Sequence, residues 1–296
     1  MSLFSFPAPF DRFLGVGLGI DVHNEQPDWR AILAQPERYP CDFLEVYTRG
    51  EVAGAHAVRE AAAQAGMPLL YHDDALDPIL PAGVAQGTLE AAVENLAAVG
   101  APWCVSELAT RRLGERYLDF FQPILLTREA VEVAARNMQA IEATFRARGL
   151  SGRIVAENPP YQLPVGPLHV LDALAEVSQR AEIPCVLDLG HLYSFQLCRG
   201  LPPLAGLDGF PLERVVELHV AGAEVEAPGG VPVYLDSHGG AEILPAVLEM
   251  LAEVAPRCPE LRVVTIEIEE ACLERTERQL RETRAAVQGL LDRRGR

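Results

Sequence analysis

Eight short apolar runs, separated by stretches of helical spacing, constrain this chain more than any other feature. They are Phe13–Gly19, Asp42–Val46, Met67–His72, Pro102–Ser106, Arg153–Glu157, Ile183–Asp188, Arg214–Val220 and Leu261–Ile268. Several are nearly continuous in apolar residues, as at Val186-Leu187 and Val263-Val264, which is the pattern of parallel strands covered on both faces. Between them, Ala53–Ala65, Thr88–Val99, Thr127–Arg148, Leu168–Arg180, Ala241–Ala255 and Glu274–Leu291 are rich in strong helix formers. Thr127 reads as an N-cap, and Gly66, Gly100 and Gly149 stand where a helix end favours a left-handed residue. Such β-α alternation with right-handed crossovers closes a parallel sheet into a (β/α)8 barrel, and 296 residues suffice for one barrel domain over residues 1–296. An open doubly wound sheet is the rival, but GVGLG at Gly15–Gly19 has neither the spacing nor the third glycine of a dinucleotide fingerprint.

Composition narrows the chemistry. The formal net charge is −17, and all 25 basic residues are arginine. A field of that sign repels a polyphosphate backbone, so nucleic acid is not an expected partner. The lack of lysine excludes Schiff-base aldolases, pyridoxal phosphate enzymes and P-loop proteins. Cys41, Cys104, Cys185, Cys198, Cys258 and Cys272 form no C-x-x-C pair and read as buried reduced thiols. MSLFSFPAPFDRF lacks the regions of a signal peptide, and no apolar run approaches the ~20 residues of a membrane span, so the cytoplasm is expected and no membrane partner.

The C-terminal ends of the proposed strands carry the chemistry. Strands two to eight end at or near Glu45, His72, Glu107, Glu157, Asp188, His219 and Glu267, and Asp21 and His23 follow strand one. In a parallel barrel these ends share one mouth, where carboxylates repel one another unless a cation neutralises them. Asp188-Leu-Gly-His191 and Asp236-Ser-His238 each add a carboxylate and an imidazole within reach of one ion. Oxygen and nitrogen donors without thiolate suit zinc, manganese or iron better than calcium. His56 and His169 read as surface or capping residues, Glu269 as a rim residue, and Arg111 and Arg112 as paired or solvated unless they meet a substrate carboxylate. Cys198–Pro211 and Ala227–Pro232 read as long βα loops after strands six and seven.

The order Glu157, Asp188, His219, Glu267 resembles the xylose-isomerase-like superfamily of metal TIM barrels, and Asp188/His191, Asp236/His238 and His72 look like the additions of its type IV apurinic endonucleases. A closer resemblance runs through GVGLG, DFLEV, ENPPY, PCVLDLGHLY, ERVVELHVAGA, DSH and TIEIE to the multinuclear non-haem iron family of peptide natural-product (methanobactin-type) biosynthesis. It implies about one to three irons, with manganese or zinc as other possibilities, held by Glu45, His72, Glu157, Asp188, His191, His219, Asp236, His238 and Glu267. It also implies oxidation of a peptide cysteine or other thiol, commonly with a small partner protein presenting the peptide. The chain departs from the family pattern at Ala223, where a second histidine is usual, at Ser106-Glu107-Leu108, where an Asp-His pair is usual, and at His191, where asparagine is frequent.

The competing expectation is a divalent-metal sugar or keto-acid isomerase or epimerase, with Glu157 and Glu267 moving a proton beside a polarised carbonyl. An apurinic endonuclease has the ligands but the wrong charge, and a structural metal site is normally closed rather than gathered at an open mouth.

Overall fold

Backbone hydrogen bonds join eight parallel strands into a closed barrel in the computed structural model, which describes residues 3–22, 27–48, 52–114 and 116–294. The chain runs β1 (Gly15–Asp21), α1 (Trp29–Ala34), β2 (Leu44–Thr48), α2 (Val52–Ala65), β3 (Leu69–Asp73), α3 (Gln86–Val99) and β4 (Trp103–Glu107). Next come a hairpin of β5 (Ala109–Leu113) and β6 (Arg116–Pro123), then α4 (Arg128–Ala147), β7 (Arg153–Glu157), α5 (Val170–Ala181), β8 (Cys185–Asp188) and α6 (Leu189–Arg199). After β9 (Val215–Ala221) a second hairpin, β10 (Ala223–Glu226) and β11 (Val233–Asp236), precedes α7 (Pro245–Val254), β12 (Val263–Glu267), α8 (Leu273–Ala286) and α9 (Gln288–Arg294). The barrel order is β1, β12, β9, β8, β7, β4, β3, β2, closed by the β1–β2 pair. No described helix is long and apolar enough to cross a membrane.

Each apolar run of the sequence becomes a barrel strand, with several ends displaced by about two residues because pairing register rather than hydrophobicity sets where a strand stops. Thr127 caps α4 through a bond from the Ala130 amide, and Gly66, Gly100 and Gly149 all hold positive φ. The helix read from Ala241 starts at Pro245, whose fixed φ suits a first helical position. Two loop assignments change. Cys198 and Arg199 end α6 rather than opening a loop, because Asp188 caps that helix the moment β8 ends; residues 200–211 therefore lead into β9 instead of lining the mouth. Ala227–Pro232 is the turn of the β10–β11 hairpin, antiparallel strands that periodicity left unread. Of the six free cysteines, Cys104, Cys185 and Cys258 are buried, whereas Cys272 is exposed.

The barrel interior has two tiers. Its lower tier is apolar: Phe43, Leu70, Trp103, Val155, Val186 and Val263 pack with Phe4, Phe6 and Phe10 of the N-terminal segment, which stoppers the bottom. Phe6 and Phe10 meet the Trp103 ring edge-on at centroid distances of 4.8 and 5.3 Å. The glycines of GVGLG make room for this filling, since a Cβ on Gly17 would stand 2.5 Å from the Phe43 ring. The Gly17→Ala variant is therefore expected to lose about 1–3 kcal/mol through overpacking, read by chemical denaturation. Gly87→Ala, where nothing lies within 4 Å of the new methyl, is expected to be neutral or slightly stabilising.

Candidate metal centre at the barrel mouth

The upper tier of the interior is ionisable. Glu45, Glu157, Asp188 and His219 are fully buried, and His72, His191 and Glu267 nearly so. Two-residue alternation along the strands aims Glu217 and His219, Thr265 and Glu267, and Glu45 and Tyr47 successively up one wall. Lowest is Glu217, whose carboxylate accepts from Trp103 Nε1 at 2.8 Å and from the Thr265 hydroxyl. Above it, His219 Nδ1 lies 3.0 Å from Glu157 and 3.3 Å from Glu267, while Nε2 lies 3.3 Å from Glu45.

Among the described residues, three overlapping sets of side chains bring donor atoms close enough to share an ion: Glu157, Asp188, His219 and Glu267; Glu45, His72 and His219; and His72, Asp74 and Glu107. A further chain of contacts adjoins them. His191 Nε2 is 3.1 Å from Asp236 Oδ2, which is 3.3 Å from His238 Nε2, itself 3.5 Å from Glu267 Oε2. The structure thus brings all nine residues singled out from the sequence into one continuous cluster, whereas His23 lies outside the described residues. His56 is exposed on α2, and His169 caps α5 by accepting from the Leu171 amide.

Local structure orients the donors. Asp188 Oδ1 is used by the α6 cap, which leaves Oδ2 for the cavity. Asn158 clasps the Asp188 backbone, accepting from its amide at 3.0 Å and donating to its carbonyl at 2.9 Å. His191 Nδ1 lies 2.7 Å from the Asn158 carbonyl, which can only accept, so Nδ1 carries a proton and Nε2 is the nitrogen turned toward Asp236 and the cavity. Glu269 does the same for His238 from 2.8 Å, a role beyond that of a rim residue. Tyr47 donates to Glu267 Oε1 at 2.9 Å and sets its ring edge against His72, in space that Gly19 leaves open: a Cβ there would stand 2.8 Å from the hydroxyl.

Sequence reasoning did not single out Tyr47, Asp74, Asn158, Glu217 or Tyr234. Asn158, directly after a strand-end Glu within ENPPY, was the most visible of them. Tyr234 sits on a hairpin strand and reaches the cavity only through tertiary folding. The departures from the family pattern also acquire positions. Leu108 turns into the core while Glu107 faces His72 and Asp74. Ala223 pairs with Asp236 across the second hairpin.

Electrostatically the cluster is strained. Burial pushes Glu45 up to about 8 and Asp188 up to about 7, and burial takes His72 down to about 4. Against the same burial, His238 holds both Asp236 and Glu267 well below the usual carboxylate range. Glu45 Oε1, both Glu157 oxygens, Asp188 Oδ2, Asp236 Oδ1, Glu267 Oε2 and both ring nitrogens of His72 and His219 are buried without a well-formed hydrogen bond. Each such atom costs about 1–3 kcal/mol. A divalent cation is the common partner that satisfies oxygen and imidazole donors together, so the residues present fit a metal.

The site opens into a cavity of about 800 Å³ lined by Tyr47, His72, Glu107, Arg111, Tyr161, His191, Tyr234, Asp236, His238 and Glu267, with Phe120 and Leu163 at its rim. A family model described as RiPP precursor modification enzyme MbnB/TglH/ChrH matches residues 15–289. The chain belongs to that family. Among similar proteins, a UPF0276 protein of Neisseria meningitidis serogroup B is 30% identical over 148 residues, 49% of this chain and 50% of the relative. A UPF0276 protein of Anaeromyxobacter is 24% identical over 251 residues, 83% of each. The match thus spans about half the length of the Neisseria relative. Solved structures with the same fold include a sugar phosphate isomerase/epimerase of Parabacteroides distasonis, with TM-score 0.57, 11% identity, and 93% and 97% of the two chains covered. Another is a xylose isomerase-like TIM barrel protein of Mycobacterium smegmatis in complex with magnesium, with TM-score 0.55, 12% identity, and 97% and 99% covered. The fold is that of xylose-isomerase-like TIM barrels.

Two outcomes are expected. Tyr47→Phe should weaken divalent-metal affinity by about 10–100-fold, the usual effect of losing a bond that orients a ligand, with little change in the melting temperature of the metal-free protein. Because protons occupy several of these donors at neutral pH, metal binding should release protons, and apparent affinity should rise from pH 6 to 8; calorimetry in buffers of different ionisation enthalpy measures the release.

Proposed function

We propose that this chain is a multinuclear non-haem iron oxidase or oxygenase that modifies a cysteine, or another thiol, of a peptide substrate. About one to three ions would be held by Glu45, His72, Glu157, Asp188, His191, His219, Asp236, His238 and Glu267, with Asp74 and Glu107 as additional donors beside His72. The observation that carries this reading is the run of overlapping donor sets, dense in buried atoms without hydrogen bonds, in a member of a RiPP precursor modification family. Carboxylate and imidazole donors without thiolate suit iron, with manganese or zinc as the alternatives.

When bound, iron would supply a redox centre with coordination positions for O₂ and a substrate sulfur. The protein supplies the rest. Asn158 and Glu269 keep His191 and His238 turned with Nε2 toward the cavity, Tyr47 holds Glu267, and Asp188 is fixed by the α6 cap. Phe120 and Leu163, 64% and 79% exposed, give the rim an apolar surface suited to a peptide. A small partner protein presenting that peptide belongs to the same reading.

A second reading is kept by one observation: Glu157 and Glu267 flank His219 at 3.0 and 3.3 Å, in a fold shared with sugar epimerases. Two such carboxylates can move a proton on and off a carbon beside a polarised carbonyl. Elemental analysis and visible spectra with and without O₂ separate the two. More than one iron per chain with an O₂-dependent band is expected. A single manganese, zinc or magnesium, no optical change, and solvent deuterium entering a ketose would establish the isomerase instead.

A further inference from the structure

Arg111 is anomalous in its surroundings. Seven of the described residues lining the cavity are Asp or Glu, and Arg111 is the only arginine among them. It stands on β5, where Asp77 organises the chain by accepting from the Arg111 amide at 2.9 Å and from the Thr110 hydroxyl at 2.7 Å. The adjacent Arg112 is spent on the same carboxylate, Nε to Oδ2 at 2.9 Å.

The Arg111 side chain is used differently. Its guanidinium carbon lies 3.8 Å from the centroid of the Phe121 ring, a stack that fixes the planar head. Among the described residues its nearest carboxylate is Asp74, 3.9 Å from Nη2 and beyond hydrogen-bond reach, while Nε is buried without a hydrogen bond to any of them. The side chain is only 14% exposed, so water does little to satisfy it. Asp74 also belongs to the donor set with His72 and Glu107, so the guanidinium stands beside one of the candidate metal clusters. A stacked guanidinium with unused donors is pre-organised for bidentate recognition of a carboxylate, and its placement amid carboxylates selects a monoanion over a polyanion.

We propose that Arg111 is the substrate-carboxylate anchor of this site, gripping a carboxylate on the reacting thiol residue or its immediate neighbour and thereby setting which thiol reaches the cluster. The proposal rests on the thiol reading above, and its test separates the two. Binding to the metal-loaded protein would be measured by calorimetry for N-acetylcysteine, N-acetylcysteine amide and N-acetyl-Asp-Cys amide, and for N-acetylalanine and its amide, which lack the thiol. The proteins would be the unaltered chain, Arg111→Met, Arg111→Lys and the control Arg112→Met.

A carboxylate-bearing probe should bind about tenfold more tightly than its uncharged counterpart. Arg111→Met should abolish that preference while leaving the amide's affinity unchanged, Arg111→Lys should restore part of it, and Arg112→Met should leave it intact. A preference for N-acetylcysteine marks a chain-terminal carboxylate, and one for N-acetyl-Asp-Cys amide a side-chain carboxylate. If only N-acetylalanine shows an Arg111-dependent preference, the anchor stands and the thiol reading falls. Equal binding of acids and amides to the unaltered chain, or equal weakening of both in Arg111→Met, overturns the anchor and leaves Arg111 as a counter-charge for Asp74.

Discussion

Five carboxylates, those of Glu45, Glu157, Asp188, Glu217 and Glu267, surround the His219 ring in the buried interior of a closed sheet. Like charges in such a medium repel far more strongly than at a surface. Protons and imidazolium charge relieve part of this; a divalent cation relieves it more completely, because one ion meets several oxygens and nitrogens at once. Much of the surrounding architecture serves that convergence. Glu217, one step below His219, is satisfied by neutral donors from Trp103 and Thr265. Tyr47, Asn158 and Glu269 each use one end of a polar group to fix a donor whose other end faces the cavity.

The polar tier is possible because the tier beneath it is apolar and full. Phe4, Phe6 and Phe10 close the bottom against Trp103 and Phe43, so stability is gained at the N-terminal ends of the strands and expended at their C-terminal ends. β1 mediates between the tiers with glycines instead of side chains: Gly17 yields its volume to Phe43 and Gly19 to Tyr47. One short motif thus serves packing below and ligand orientation above.

The two hairpins add what the barrel strands cannot. β10 and β11 swing Tyr234 and Asp236 over the β9 end of the cluster, where Asp236 meets His191 and His238. β5 and β6 carry Arg111, Phe120 and Phe121 to the opposite rim, providing a cation and apolar surface over an acidic site. A RiPP precursor modification family, which must admit peptide chains, is well served by specificity built from such excursions on a fixed barrel.

The barrel was legible from the chain because apolar runs and helical stretches alternate with local periods, and the strand-end residues were legible because parallel strands direct all their C-terminal ends to one mouth. That rule placed Glu157, Asp188, His219 and Glu267 among the strand-end residues of one mouth, and the resemblance to metal TIM barrels singled them out as a set. Tyr47 escaped because its role depends on Gly19 across a strand pair, and Glu269 because its partner, His238, is 31 residues distant. The hairpins escaped because their strands pair only with each other, outside the β-α alternation that marks the barrel. Arg111 and Arg112, adjacent and chemically alike, were indistinguishable in sequence; tertiary structure gave one to Asp77 and stacked the other on Phe121. By itself, then, the sequence determined the barrel and the residue types at its mouth, since both follow from local periodicity. Which donors share an ion, which ring nitrogen faces the cavity and which arginine keeps unused donors were decided only by the tertiary structure, because each depends on contacts between distant segments.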